Sequence, residues 1–582
     1  MSITSNFRDI RTQAVFLPFA FMWLVPFCMP GHFVPLLTFW QEWAAAVLLL
    51  IVIFGLLLSR SDILIIQAPQ IIWAPLGLAL VIVLQLLMHR YSFIDQLLVP
   101  IIYLLMAGLA CALGRTLAEF GLLERISVWI AAACVLGGVF SVGVQLAQVL
   151  GAEDQYSFMS KHAAGQPFFA NLNQANHLAA YLAMALGSVL YLRLRKTIND
   201  YISWAVSILL TLGLVLSGQR CALIYVFVPL VITLLAYRSL PNHRRFLLGA
   251  GLALPVLFGV FYCAFKPIFV SSTVHLYAAV NGHFYDNRWL LLRHAWAMFE
   301  LHPWLGVGFS QFWATYVRQV GVIGASEVVM HPHNVVAALM AETGIAGTLV
   351  VLAPLAIWAW NTRLKPTTIV QWFAWIQIAI VGLYSLIEFP LWYTYWLIIA
   401  AFWLGALDPI SKPLNLRKPR LLAAAFFFGI SVVLMDITFS YLKLRDMVLL
   451  PPPAEKSESD EFAEYRKKAF LELSHHWFFQ SQASIRMASY LVKLDTDHLD
   501  EKLAFNERAL SARPSSTTLQ HQIVLLVLKG DIDTAIYWTG VTKILYPERY
   551  DQMAAEWPSY ARQWPEQFNQ NVIDRLTHIQ ST

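Results

Sequence analysis

Residues 40–58 read WQEWAAAVLLLIVIFGLLL, a run whose only charged side chain is Glu42, near its start. A helix of about 20 apolar residues spans the roughly 30 Å hydrocarbon core of a bilayer. Runs of this kind recur from about residue 12 to residue 442. The sequence therefore predicts an all-α integral membrane protein, a polytopic bundle of transmembrane helices.

The composition supports this class and excludes others. Of the 582 residues, 58% are hydrophobic and only 13% are charged, whereas soluble proteins carry about 25% charged residues. The net charge of +5 is small, and no basic stripe alternates with aromatic residues, so nucleic acid is not an expected partner. The five cysteines fall in or beside apolar runs without a Cys-x-x-Cys pair, which favours a packing role.

Apolar runs separated by polar breaks predict about thirteen spans, give or take about two. The first run is interpreted as a retained span instead of a signal peptide, because Pro26 and Pro30 crowd its end. The predicted spans are residues 13–29, 40–58, 71–88, 97–114, 127–150, 175–194, 202–217, 221–237, 246–265, 334–361, 367–385, 390–407 and 420–442.

The distribution of Lys and Arg in the short loops predicts the orientation, because positive residues near span ends stay on the cytoplasmic side. With a cytoplasmic N-terminus, the outside short loops carry only Arg90, Lys161 and Arg220. The inside loops carry Arg60, Arg115, Arg125, Arg193, Arg195, Lys196, Arg238, Arg244, Arg245, Arg363, Lys365, Lys412, Arg417, Lys418 and Arg420. This orientation predicts that two polar pieces lie outside, residues 266–333 and everything from about residue 443.

The domain organisation follows from these pieces. We expect a membrane domain over residues 1–445, which includes the outer segment 266–333, and an outer helical domain over residues 446–582. Two helical stretches of the latter end at Pro514 and Pro547, 33 residues apart, close to the period of about 34 of tetratricopeptide-type helix pairs. A generic helical bundle is the alternative.

The outer segment 266–333 contains the first candidate site residues. Around Arg288 and Arg293, apolar residues at helical spacing predict an amphipathic helix at the membrane surface, ended by the turn 302–308. Each arginine either anchors this helix at the interface or binds an anion, since guanidinium offers a planar fork of donors that suits phosphate.

The same segment ends in His331-Pro332-His333-Asn334. Two histidines at i and i+2 suggest a metal, but the sequence offers no third ligand at a familiar spacing, so no metal is expected. The open choice is between a catalytic base and a structural donor.

At this point the sequence resembles a known family. His333-Asn334, nine residues and then Gly344-x-x-Gly347 resembles the signature of the O-antigen ligase superfamily, although Gly-x-x-Gly also occurs where helices simply pack closely. The stretch 171–178 resembles the N-terminal block of that family. Residues 217–220 resemble its Ser-x-x-Arg block, with Gln219 where a Ser often precedes the Arg.

A further block, Glu388-Phe389-Pro390-Leu391-Trp392-Tyr393, resembles the one that marks the protein O-oligosaccharyltransferase branch, the PglL type. The resemblance implies a GT-C-like helical bundle in the bacterial inner membrane. It also implies a glycosyltransferase that moves a preassembled glycan en bloc from undecaprenyl pyrophosphate to Ser or Thr of periplasmic or pilin-like proteins. Membrane lipids, the lipid-linked glycan and the acceptor protein are the expected partners, and no cofactor is expected.

Roles for individual residues follow from this resemblance. His333 is the expected base, with His331 as the alternative, and Arg288, Arg220 and then Arg293 are expected to stabilise the leaving pyrophosphate. Arg220 has a second interpretation as a snorkelling residue at a span end.

Five further polar residues stand where outside loops meet spans. The amides of Asn173, Gln174 and Asn176 either bind sugar hydroxyls or the pyrophosphate, or serve in helix capping and loop hydrogen bonding. Glu388 and Tyr393 either orient a site residue or belong to an interfacial belt.

Other activities remain open at this stage. The nearest alternative is ligation of the glycan to lipid A core, or polymerisation of repeat units. A lipid-linked glycan transporter is a remote alternative, because the candidate residues are expected on one outer face and not along a path through the bilayer. Deleting the chain from about Pro451 is expected to lower transfer to protein and to spare donor binding.

Overall fold

The structure is a computed structural model, and it describes residues 17–58, 63–88, 90–162, 166–271, 284–325, 328–449 and 460–578. Regular structure in these ranges is almost entirely helical, which confirms the all-α polytopic membrane class. The membrane helices and those between them are α1 (Phe39–Leu57), α2 (Trp73–Leu87), α3 (Asp95–Glu119), α4 (Leu123–Val149), α5 (Ala175–Leu194), α6 (Asp200–Leu216), α7 (Cys221–Leu235), α8 (Arg244–Ser271), α9 (Phe284–Leu301), α10 (Phe312–Ile323), α11 (Val335–Thr362), α12 (Ile369–Ser385), α13 (Thr394–Leu407) and α14 (Pro419–Leu449).

Twelve of these helices coincide with predicted spans. Among the described residues, eight apolar helices are long enough to cross a membrane, and four more, α6, α7, α12 and α13, have 14 to 17 residues. The predicted span 13–29 begins outside the described residues, and its described end forms a 3-10 turn, Phe21–Trp23, and a one-turn helix, Val25–Cys28. The total of thirteen spans stays a prediction.

The chain divides into two compact units. Unit 1 comprises residues 1–77, 103–282 and 350–432, and unit 2 comprises residues 78–102, 283–349 and 433–582. This division places the start of α11 and the C-terminal helices in one unit. The sequence-based boundary near residue 445 stays a prediction.

Unit 1 is built around α5. Of its spanning stretch, 89% is buried inside the protein, a larger share than for any other of the eight long spans. Helices α4, α6, α7 and α12 pack against it. Its sequence permits this close approach, because Ala179, Ala180, Ala183 and Ala185 present only methyl groups to the neighbouring helices.

Unit 1 also contains two strands at positions where the sequence predicts loops. Strand β1 (Ile63–Pro69) pairs antiparallel with β2 (Ser411–Arg417), and Ile66 lies opposite Leu414. The strands are about 350 residues apart in the chain, so local sequence carries no sign of their pairing.

Unit 2 combines the outer segment with the C-terminal helices. These are α15 (Asp460–Ser474), α16 (Gln480–Tyr490), α17 (Leu499–Ala512), α18 (Ser516–Lys529), α19 (Ile532–Leu545), α20 (Pro547–Gln563) and α21 (Gln570–Thr577). From α15 to α20 each helix packs on the next one. Pro514 stands just before the capping box of α18, and Pro547 is the first residue of α20, so the 33-residue spacing encloses one helix pair. A true repeat stays a prediction, and residues 451–459 lie outside the described part.

One hydrophobic core joins the outer segment to these helices, and we call it the shared core. Its buried members are Leu291, Ala295, Met298, Val307, Phe312, Tyr316, Val317, Val320, Val329 and Ala341 from residues 283–349, and Leu510, Leu519, Val541 and Leu545 from the C-terminal helices. A second cluster, the C-terminal core, lies within the C-terminal helices and includes Ile523, Val527, Met553 and Trp557. The outer segment is therefore not a separate loop.

Candidate active site

The turn before α11 presents the two histidines in different environments. His331 is 9% exposed, whereas His333 is half-buried and has a φ of +52°. The backbone N–H of His333 donates to Nδ1 of His331 at 3.3 Å, and the two rings lie 4.3 Å apart. Burial, followed by the nearby His333, lowers the pKa of His331 to about 2. His331 is thus a neutral acceptor within the turn, and His333 is the more accessible imidazole.

Asn334 caps the helix that follows the turn. Its Oδ1 accepts hydrogen bonds from the N–H groups of Val336 and Ala337, both at 3.0 Å. Helix starts leave such N–H groups without partners, and Asn is a preferred cap. The residue after His333 therefore fixes the backbone where the turn that carries His333 enters the helix.

The Gly-x-x-Gly stretch marks a break in α11. Gly344 has a φ of +61° inside the helix, a conformation that favours glycine. The freed N–H groups of Ile345 and Ala346 donate to the carbonyls of Pro303 and Trp304, at 2.8 and 3.1 Å. The Gly-x-x-Gly motif therefore breaks the helix at a point where the freed N–H groups have hydrogen-bond partners, and it does more than let two helices pack closely.

The predicted amphipathic helix is present as α9, followed by a turn over residues 302–308, while residues 272–283 and 326–327 lie outside the described part. A cavity of about 690 Å³ lies between α9 and the start of α11. Arg293 and Asn334 line it, together with the exposed Trp289 and Trp296. The indole N–H of Trp296 donates to the Glu300 carboxylate at 2.7 Å, which fixes that ring. Arg288 is exposed on α9 but does not line this cavity.

In unit 1 the other predicted blocks converge. The amide of Asn176 donates to the Glu388 carboxylate at 2.9 Å, and the Cys221 thiol, next to Arg220, donates to Oδ1 of Asn176 at 3.5 Å. Tyr393 packs edge-on against the ring of His177 at 4.9 Å. Glu388 is 6% exposed, so it is a buried partner of Asn176 and not part of an interfacial belt.

The remaining predicted residues occupy turns of unit 1. Asn173 is exposed with a φ of +56°, and Gln174 holds the N-cap position of α5 without a side-chain capping bond. The Gln174 side chain therefore makes no helix-capping bond in the structure. Arg220 is exposed at the start of α7.

Gln85 and Glu342, two buried polar residues of unit 2, are not among the site residues that the sequence predicts. Gln85 of α2 is fully buried, and Glu342 of α11, which is 2% exposed, accepts a hydrogen bond from the N–H of Phe312 at 3.2 Å. The sequence does contain a pattern that marks both residues. Gln85 is the only polar residue in 71–88, and Glu342 is the only charged residue in 335–361. Polar residues inside spans are costly and mark function or architecture.

Comparison with known families agrees with the motifs. A family model described as "O-Antigen ligase" matches residues 205–352, and one described as "Virulence factor membrane-bound polymerase, C-terminal" matches residues 372–559. Together these matches support a member of the O-antigen ligase superfamily. The first match includes Arg220, Arg288 and His333, and the second begins in α12 and reaches into α20.

A curated relative of this superfamily member is the "General O-oligosaccharyltransferase" of Acinetobacter baylyi (strain ATCC 33305 / BD413 / ADP1). The two sequences are 26% identical over 285 residues, which is 46% of this chain and 48% of the relative. The match therefore spans about half the length of each protein. The name of this relative corresponds to the branch that residues 388–393 resemble.

Proposed function

We propose that this superfamily member transfers a preassembled oligosaccharide en bloc from undecaprenyl pyrophosphate to Ser or Thr hydroxyls of periplasmic or pilin-like proteins. The observation that carries the proposal is the turn 331–334. This turn presents a half-buried imidazole, His333, immediately before a capping Asn334 that lines a cavity together with Arg293. The name of the Acinetobacter relative supports the protein acceptor.

His333 acts as the base in this proposal. A Ser or Thr hydroxyl is a weak nucleophile, and a neutral imidazole that takes its proton during attack contributes roughly 10² to 10⁴ in rate. His331 suits this role less well, because it is buried and its Nδ1 already accepts the N–H of His333.

The arginines stabilise the leaving group. Negative charge grows on the pyrophosphate as the bond from the sugar C1 to oxygen breaks, so fixed guanidinium groups bind the transition state more tightly than the ground state. Arg220 and Arg288 are assigned to this charge. Arg293 joins them, because it lines the cavity beside Asn334.

The cavity between α9 and α11 is assigned to the donor. Its walls are largely apolar, from Leu292, Val336 and Met340, and they suit the first isoprene units of the carrier, while Arg293 meets the phosphate. The exposed amide of Asn173 and the half-buried amide of the neighbouring Gln174 are assigned to sugar hydroxyls. Asn176 is held by Glu388, so we assign it to orientation.

A single attack opposite the departing pyrophosphate inverts the anomeric centre, and no metal is assigned a role. NMR comparison of donor and product linkages tests the inversion, and a retained linkage would refute it. The proposal includes an inner-membrane location with a cytoplasmic N-terminus and periplasmic C-terminal helices.

The test is transfer in vitro from undecaprenyl pyrophosphate glycan to a purified pilin-like protein, read by intact-mass spectrometry with and without EDTA. Wild type is expected to add the glycan mass in both conditions, and His333→Ala and Arg288→Ala are expected to fail while remaining folded. Arg318→Ala is the matched control, because Arg318 is an exposed arginine on α10 outside the cavity. Full activity of His333→Ala would overturn the mechanism.

The second candidate is transfer to lipid A core or polymerisation of repeat units. The descriptions of the two matching family models, a ligase and a polymerase, favour it. The same assay separates the two, because an unmodified pilin beside a glycan-bearing lipid A core, or beside lengthened repeat units, supports this candidate.

A further inference from the structure

Gln85 near the end of α2 uses its whole hydrogen-bonding capacity inside unit 2. Its Nε2 donates to the carbonyls of Leu305 and Glu342, at 2.6 and 2.7 Å. Its Oε1 accepts from the hydroxyl of Tyr91 at 2.7 Å and from the N–H of Phe309 at 3.1 Å. An amide has two donor hydrogens and two acceptor lone pairs, so all four positions are filled.

The four partners converge on the break in α11. Glu342 lies two residues before Gly344, and its carbonyl also accepts the N–H of Gly308 at 3.1 Å. The neighbouring Val307 N–H donates to the Ala341 carbonyl at 3.0 Å. Gln85 thus joins α2, the loop 303–309 and the last turn before the break.

Between Asn334 and the break lies a short half-helix, residues 335–343. One end is fixed by the Asn334 cap and the other by the backbone pairing with the loop 303–309. His333 directly precedes the Asn334 cap of this half-helix, so its position depends on where the half-helix is held. Buried polar networks in which every member is satisfied are rigid.

We infer that Gln85 is a positioning residue for the transfer: by fixing the loop 303–309 against the break in α11, it holds the half-helix and with it His333. The inference rests on the proposed function, because it assigns Gln85 to that reaction. Gln85 touches no substrate in this account. Its effect passes entirely through the backbone of residues 335–343.

The expected consequence is kinetic. Catalysis by proximity requires reacting atoms in near-attack geometry, and a misplacement of about 1 Å costs about 100-fold in rate. Gln85→Met keeps an unbranched side chain but removes all four hydrogen bonds. Gln85→Glu keeps the acceptor oxygen for Tyr91 and Phe309 and removes the amide donors to Leu305 and Glu342.

The matched control is Gln377→Met. Gln377 is also a fully buried glutamine in an apolar helix, α12, and its Nε2 donates to the Met184 carbonyl at 3.2 Å. It belongs to unit 1, whereas the break in α11 belongs to unit 2. The comparison therefore separates the loss of a buried amide from the loss of this particular network.

The experiment measures kcat and KM of the full-length enzyme in the pilin transfer assay, and amide hydrogen exchange of residues 336–343 by mass spectrometry. Both Gln85 variants are expected to lose about 10- to 100-fold in kcat, with KM for donor and acceptor within about twofold of wild type. Exchange in the half-helix is expected to rise at least about threefold. Gln377→Met is expected to match wild type in both readouts.

A kcat within about twofold of wild type in both Gln85 variants would overturn the inference, and so would an equal loss in Gln377→Met. A fall in kcat without faster exchange in residues 336–343 would also refute it, because the effect would not pass through the half-helix. If wild type itself transfers no glycan, the proposed function fails. In that case, comparing amide hydrogen exchange of residues 336–343 between wild type and the Gln85 variants still shows whether Gln85 holds the half-helix.

Discussion

Removal of the C-terminal helices is expected to damage the outer segment as well as acceptor binding. A chain cut at about Pro451 lacks Leu510, Leu519, Val541 and Leu545, the C-terminal members of the shared core. Burial of each such side chain contributes about 1.5–3 kcal/mol, so their loss removes about 6–12 kcal/mol of hydrophobic contact. Whole domains are stable by only about 5–15 kcal/mol. The sequence-based expectation that donor binding survives this deletion is therefore revised.

A pair of point variants on α18 tests this reasoning without a truncation. Leu519 and Ile523 are both fully buried and stand one helical turn apart. Leu519 belongs to the shared core and Ile523 to the C-terminal core. Substitution of either by Ala costs about 2–5 kcal/mol of folding free energy. The two variants are therefore expected to lose similar amounts of overall stability.

The assay is hydrogen exchange by mass spectrometry on the detergent-solubilised protein, combined with a donor-binding measurement. Leu519→Ala is expected to increase exchange in α9 and α10 and to weaken binding of the lipid-linked donor. Ile523→Ala is expected to increase exchange only within the C-terminal helices. Equal exchange in α9 and α10 for the two variants would refute the structural role of the shared core.

Three further predictions concern the same unit. Asn334→Ala removes the cap of the half-helix, worth about 0.5–2 kcal/mol, and is expected to lower transfer, whereas Asn334→Ser keeps a capping oxygen and most of the activity in the pilin assay. Gly344→Ala places a Cβ about 2.5 Å from the backbone of Trp304 at a positive φ, and should lower the thermal unfolding temperature, whereas Gly382→Ala, with open space around it, should not. The third concerns pH: burial lowers the pKa of His294, whose ring nitrogens lie 3.0 and 2.9 Å from Gln319 Oε1 and the Gly324 carbonyl. The unfolded chain then binds more protons below about pH 6.5, so stability falls as pH drops through that value. Thermal unfolding between pH 5 and 8 should show a shallower acid slope for His294→Gln than for wild type.

The positions of the spans were predictable because a bilayer imposes a length and a composition on every spanning helix. The predicted spans 40–58 and 175–194 differ from α1 and α5 by at most one residue at either end. The strands β1 and β2 were not predictable, because their pairing joins segments far apart in the chain. The shared core was not predictable either. The helical period of α18 indicates which of its faces is buried, but it does not indicate which other helix packs against that face.

Part of the candidate site was predictable in the same sense. The motifs identified His333, Arg293 and Glu388, but only the structure shows that Glu388 accepts from Asn176. Gln85 and Glu342 are single polar residues in apolar runs. This pattern indicates that each residue has a functional or architectural role, but it does not indicate which one. Their roles depend on a loop, residues 303–309, whose backbone partners are set by tertiary contacts.

The spacing of the family motif has a physical meaning in this fold. The nine residues between Asn334 and Gly344 are the half-helix itself, which is about 14 Å long at about 1.5 Å per residue. Its length sets the distance from the His333 turn to the break, and its winding of about 100° per residue sets the rotation between its two ends. The cap, the half-helix and the break thus form one continuous element. Asn334 caps its first residues, and Gln85 donates a hydrogen bond to the Glu342 carbonyl near its end. The two separate patterns of the sequence motif are therefore the two ends of one continuous half-helix in the structure, and we expect that half-helix to hold His333 in position.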